Sequence, residues 1–166
     1  MTERRGKAEV RIEHGTWVIV ADGEKFLLLH NAGDAEHPVL KVVDHDDNRN
    51  PPARDLSSDR PGRRHDASRQ TPGGVAAWGK SAMEETDWHR VAEARFAEHV
   101  AAKLREWASA GRFRHLVVVA DPRTLGELRG GYDDSLKATI VAEIDKDLTN
   151  LPLDRIEASL KAHASA

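Results

Sequence analysis

Leu116-Val117-Val118-Val119-Ala120-Asp121-Pro122-Arg123-Thr124-Leu125-Gly126-Glu127-Leu128-Arg129 is the stretch that decides the fold. Five apolar residues in a row cannot alternate between core and water. The run therefore predicts a strand covered on both faces, which places it centrally in a sheet with layers above and below. Asp121 then suits a helix N-cap and Pro122 the first helical position. A strand passing directly into a helix is the α/β pattern, and ligands of such sheets gather where strands end and helices begin. Asp121, Arg123 and Arg129 are candidates on that ground, because arginine offers a rigid fork for phosphate or carboxylate. The plainer reading is that Asp121 caps its helix and Arg129 pairs with a nearby acid.

Upstream, Trp88, Ala92, Phe96, Val100, Leu104 and Trp107 recur at helical spacing and predict one apolar stripe. Ser81 with Glu84, or Asp87 alone, would cap the start, and Gly111 would end it. Arg95 lies beside the stripe, suited to snorkelling or to an ion pair. Downstream, Gly130-Gly131 stops the second helix and residues 133–138 form a short third one. Thr139 to Asp145 is a strand, and Pro152 opens a last helix with Ile156 and Leu160 inward. Near the beginning, Thr16 to Ala21 and Lys25 to His30 flank Asp22-Gly23, a hairpin turn because both residues tolerate positive φ. Pro38 to Val43 adds a third strand to an antiparallel meander. The expectation is a single α/β domain over 14–166, a mixed β-sheet flanked by helices. A frayed tail over 1–13 precedes it, and a long loop over 44–80 interrupts it.

Composition narrows the function. A chain of 166 residues is large enough for one real core. A formal charge of −3 disfavours general nucleic-acid coating and leaves room for a local basic segment. The absence of cysteine excludes disulfides, thiolate metal sites and a cysteine nucleophile. Residues 1–13 lack the apolar stretch of a signal peptide, and no apolar run approaches membrane-spanning length. The expectation is a cytoplasmic protein with no membrane association.

The stretch from Asp44 to Lys80 carries four prolines and few large apolar residues. Its basic part holds Arg49, Arg54, Arg60, Arg63, Arg64, Arg69 and Lys80 against Asp55, Asp59 and Asp66. Within it, Gly74-Val75-Ala76-Ala77-Trp78-Gly79-Lys80-Ser81 matches the phosphate-loop pattern G-x-x-x-x-G-K-[ST], which wraps backbone N–H groups around phosphates. That loop should follow a buried strand, and the preceding residues are polar and include Pro72. Asp44-His45-Asp46-Asp47-Asn48 faintly suggests a calcium loop, but Arg49 stands where glycine is needed. The nine histidines are scattered, with no H-E-x-x-H pattern, so neither a metal site nor a cofactor is expected. No G-x-S-x-G elbow occurs.

Arg95-Phe96-Ala97, then Phe113 to Ala120, then Pro122-Arg123-x-Leu125-Gly126-x-Leu128-Arg129 together resemble the bacterial host attachment protein family. Trp17 to Gly23 and Asp147-Leu148-Thr149 followed by Pro152 fit the same pattern. That family is similar to the middle domain of archaeal and eukaryotic peptide-release factors and Pelota. The resemblance implies a ribonuclease-H-like fold of the translational-machinery-component type. Release factors carry Gly-Gly-Gln before the long helix; this chain has Gly73-Gly74 followed by Val75, with Gln70 ahead of the glycines.

The resulting expectation is a protein with no catalytic residue, binding RNA on the ribosome or as tRNA. Arg60, Arg63, Arg64, Arg69, Gly73, Gly74, Lys80, Arg123 and Arg129 would make the phosphate contacts. Two alternatives stand beside it: a nucleotide-binding hydrolase using residues 74–81 or the Asp121 region, and a module that binds a protein partner in host attachment.

Overall fold

Five strands form one mixed open sheet in the order β3-β2-β1-β4-β5 in a computed structural model. It describes the backbone of residues 11–47 and 77–164, and the side chains of 11–47 and 86–163. Strands β1 (Trp17–Ala21), β2 (Lys25–Asn31) and β3 (Leu40–Asp47) make the antiparallel meander. Strands β4 (Leu116–Ala120) and β5 (Ile140–Asp145) add to it in parallel with β1. Helix α1 (Ala77–Ser109) lies between β3 and β4 in sequence. Helices α2 (Pro122–Gly130) and α3 (Asp134–Thr139) link β4 to β5, and α4 (Leu153–Ala164) closes the chain. This is the helix-flanked α/β domain that the sequence predicts.

The apolar run of β4 sits at the centre, all five residues buried, as its lack of alternation requires. Its odd and even side chains serve different cores. Leu116, Val118 and Ala120 join Ile19, Ala21, Phe26 and Leu28 under α1, α2 and α3. Val117 and Val119 join Val18, Val20 and Ile144 under Ile156 and Leu160 of α4. The parallel register Trp17↔Leu116 to Ala21↔Ala120 aligns the two strands end to end. Ile12 is buried in the second core, so the expected frayed tail does not reach it; residues 1–10 lie outside the described residues.

Several boundaries differ from the sequence reading. Strand β3 runs through Asp47, so the start of the expected 44–80 loop is strand; Asp46 there faces His99 of α1 at 3.4 Å. An acidic run inside a strand cannot curl round calcium. Helix α1 already begins at Ala77, so Ser81 and Asp87 are interior positions and cap nothing. The hairpin at Asp22-Gly23 forms, but neither residue has positive φ. The Asp22 carboxylate instead accepts from the backbone N–H groups of Glu24 and Lys25, each at 2.8 Å.

The apolar stripe of α1 is interrupted too. Phe96, Val100 and Leu104 are buried, whereas Trp88 is 62% exposed and residues 86–91 all face water. The helix is longer than the sheet it crosses: 33 residues span about 50 Å at 1.5 Å each. Its first turns extend past the ends of β1 and β4. At the other end Gly111 takes φ +73, and the amides of Gly111 and Arg112 donate to Ala108 and Trp107 carbonyls, a Schellman closure.

Leu104→Ala should lower unfolding free energy by about 2–5 kcal/mol, because it empties a fully buried position. Trp88→Ala should change it by less than about 0.5 kcal/mol, since the Trp88 side chain is mostly exposed. Urea unfolding of the two variants checks this.

Candidate functional site

The topology selects one edge of the sheet. From β1 the chain returns on one side as β2, whereas β4, on the other side, is followed by α2 and β5. The carboxyl ends of β1 and β4 therefore flank a switch point, where open α/β sheets hold ligands. Asp22 follows β1, Asp121 follows β4, and Asp145 to Thr149 follow β5.

These turns are tied to one another. Asp121 caps α2: its Oδ1 accepts from the amides of Arg123 at 3.1 Å and Thr124 at 3.0 Å, and its Oδ2 accepts from the Thr124 hydroxyl at 2.6 Å. With both oxygens engaged, Asp121 is a structural cap. Arg123 Nη1 pairs with Glu93 of α1 at 2.9 Å, and its Nε lies 3.7 Å from Glu127. Glu93 lies flat on the β1–β2 turn; a Cβ at Gly23 would come within 2.7 Å of Glu93 Cγ. Glycine is required there by this close approach. The hydroxyl of Thr149, itself buried, lies 2.7 Å from both Asp22 Oδ2 and Asp147 Oδ1 and has one proton to give. Lys25 Nζ donates to Asn150 Oδ1 at 2.5 Å.

The edge is thus an interlocked polar rim. It brings Arg123 to the switch point as expected, but in an ion pair. Arg129 is not beside it. Six helical positions separate the two by about 9 Å along the axis and 240° around it. Arg129 instead meets Glu143 of β5, with its Nε at 2.9 Å and its Nη2 at 2.5 Å from one carboxylate oxygen. Next to that pair the Tyr132 hydroxyl is buried, with no hydrogen-bond partner among the described residues. Burial pushes its phenol well above the ordinary 10.0, and the Glu143 carboxylate acts in the same direction.

Of the other candidate phosphate contacts, Arg60, Arg63, Arg64, Arg69, Gly73 and Gly74 lie outside the described residues. Lys80 is in helix α1. The phosphate-loop pattern needs an open loop running up to its lysine, and Ala77-Trp78-Gly79 ahead of Lys80 are already helical. Among the described residues no group of three His, Cys, Asp or Glu side chains is placed to hold a metal ion, and no helix is long and apolar enough to cross a membrane. The sequence reading missed Glu93 and Thr149 as ties of this rim. Only the Asp147-Leu148-Thr149 pattern hinted at the second.

Comparison with known families places the chain. The model of a family described as bacterial archaeo-eukaryotic release factor family 12 matches residues 15–160. It bears out the release-factor-like resemblance carried by Trp17 to Gly23 and Phe113 to Arg129. No curated protein matches the chain.

Two predictions follow from the rim and its neighbour. Gly23→Ala should displace Glu93, break its pair with Arg123 and destabilise the chain by about 1–3 kcal/mol, whereas Gly23→Ala with Glu93→Ala should cost less than the sum of the two; a double-mutant cycle by urea unfolding reads the coupling. Tyr132 is the one tyrosine, so its phenolate absorbance can be followed directly. Above about pH 10 the unfolded chain releases this proton while the folded chain retains it. Stability should therefore fall as pH rises above about 10, and Tyr132→Phe should flatten that fall.

Proposed function

The chain belongs to bacterial archaeo-eukaryotic release factor family 12, and from that premise we propose that it is a non-catalytic translation-related factor that binds RNA on the ribosome or as tRNA. The observation that carries this reading is the projection of α1. Residues 86–91 are exposed, and among the described side chains of the helix the first buried one is Phe96. From Ala77 to Glu93 the helix reaches about 24 Å outward from the switch-point edge. Directly before it in sequence comes the basic stretch from Arg49 to Arg69, with six cations against three acids, and Lys80 follows in the first turn of the helix. A fixed stem leading to a basic stretch suits contact with a large phosphate surface better than enclosure of a small substrate.

The non-catalytic part of the proposal rests on Gly73-Gly74-Val75, which supplies no side-chain amide where release factors have glutamine. Engagement of Asp121 as a cap argues against a hydrolase built on that residue. The helical start at Ala77 argues against a nucleotide loop over 74–81. Nucleotide binding would raise the melting temperature with ATP or GTP and magnesium, and none is expected. Retention of a protein with no RNA component would instead favour the host-attachment alternative.

Ribosome and tRNA association should be present at low salt and weaken steeply as salt rises. Replacing Arg60, Arg63, Arg64 and Arg69 together by alanine should lower the slope of log affinity against log salt by about three to four, if each meets one phosphate. Co-sedimentation with ribosomes and titration of labelled tRNA measure this. No association of the unaltered protein at low salt would remove the proposal.

A further inference from the structure

Glu93 marks the place where α1 crosses the switch-point edge of the sheet. Residues 86–91 before it face water, and Phe96, Ala97 and Val100 after it are buried in the first core. Three elements meet on its side chain. The β1–β2 turn gives it a floor, since Gly23 leaves free the space that a Cβ would take 2.7 Å from Glu93 Cγ. Helix α2 gives it a partner, with Arg123 Nη1 at 2.9 Å. Arg123 is itself fixed from two sides. Its backbone N–H donates to the Asp121 cap at 3.1 Å, and its Nε stands 3.7 Å from Glu127, one turn on. The reach of the guanidinium toward α1 is therefore set by α2.

The other charges at this crossing have their own partners. Asp22 and Asp121 accept from backbone amides and threonine hydroxyls. Lys25 is turned to Asn150. Arg90, one turn before Glu93, is exposed. Such an open pair contributes little to stability, because the Arg123 and Glu93 side chains are 50% and 32% exposed. Its consequence is directional. The helix runs about 24 Å from Glu93 back to Ala77. A tilt of about 10° at Glu93 would carry Ala77 through about 4 Å. The buried contacts at Phe96, Ala97 and Val100 all lie on the far side of Glu93 from this stem.

We propose that Glu93, seated on Gly23 and paired with Arg123, is a positioning residue that sets the direction of the α1 stem and so how tightly the chain holds RNA. This role rests on the RNA-binding reading above, and it makes Arg123 a support of the stem where the sequence suggested a phosphate contact. The sign of the effect separates position from charge. Removing a carboxylate from a protein that binds a polyanion favours binding on charge alone. A positioning role predicts the reverse.

Titration of the full chain into labelled tRNA at low salt reads the affinity. Glu93→Gln should weaken binding about three- to tenfold and leave the slope of log affinity against log salt unchanged, because no phosphate contact is lost. Glu93→Arg with Arg123→Glu restores the pair in reverse and should recover most of the loss seen with Arg123→Glu alone. Glu127→Gln leaves the Glu93 pair in place and should not weaken binding. The melting temperature of the Glu93→Gln chain should shift by less than about 3 °C. The chain has no cysteine, so spin labels at Ala82→Cys and Val141→Cys report the stem direction without RNA, and Glu93→Gln should broaden their distance distribution. Equal or tighter tRNA binding by Glu93→Gln, no recovery in the reversed pair, or an unbroadened distribution would each overturn the positioning role, while binding by the unaltered chain leaves the function standing. A salt slope lowered by about one in Arg123→Gln, with tighter binding in Glu93→Gln, would overturn it and return Arg123 to the phosphate contacts. Absence of tRNA binding by the unaltered chain would remove the function and this role together.

Discussion

The parallel pairing of β1 with β4 is the constraint on which the rest of the molecule depends. Nine of the ten paired residues are buried, with Trp17 half-buried at the end. A strand pair buried on both faces needs a layer on each side. Helices α1, α2 and α3 supply one layer and α4 the other. The pairing also aligns the carboxyl ends of the two strands, so Asp22 and Asp121 emerge side by side and create the switch point. It aligns their beginnings as well, which brings Trp17 under Arg112.

Long helix α1 connects those ends. It meets the switch-point rim at Glu93, crosses the sheet through Phe96, Val100 and Leu104, and finishes at Gly111. At the rim, Arg123 is satisfied by Glu93, and the aspartates are satisfied by backbone amides and threonine hydroxyls. Of these groups only Thr124 and Thr149 are buried, so their hydroxyls are the ones whose loss of partners is costly, on the order of 1–3 kcal/mol. At the other end Arg112 rests on the rings of Trp17 and Trp107. The rim therefore reads as architecture that aims the start of α1.

What the sequence made legible was whatever the core dictates. The unbroken run Leu116–Ala120, the Asp121-Pro122 helix start, Gly111 and the inward pair Ile156 and Leu160 all stand as read, because burial and backbone geometry leave those residues little choice. Less legible were features set by distant partners. Asp44 to Asp47 look like loop until β2 pairs with them and His99 meets Asp46. Trp88 has the right period for the stripe, yet the sheet ends before the helix does, and periodicity carries no information on sheet length. Arg123 and Arg129 are close in sequence, but helical rotation separates them. The ring-held Arg112 has no sequence signature at all, since its two tryptophans are 90 residues apart. The family resemblance, carried by several short motifs together, identified the family where no single motif could.

Hydrogen exchange of the chain with and without ribosomes bears most directly on the central claim, that a release-factor-type fold presents an RNA-binding stretch at the start of α1. The account predicts slowed exchange across residues 49–91, with the core strands unchanged. Uniform exchange in the two conditions, or protection confined to the Asp22, Asp121 and Thr149 rim, would contradict it.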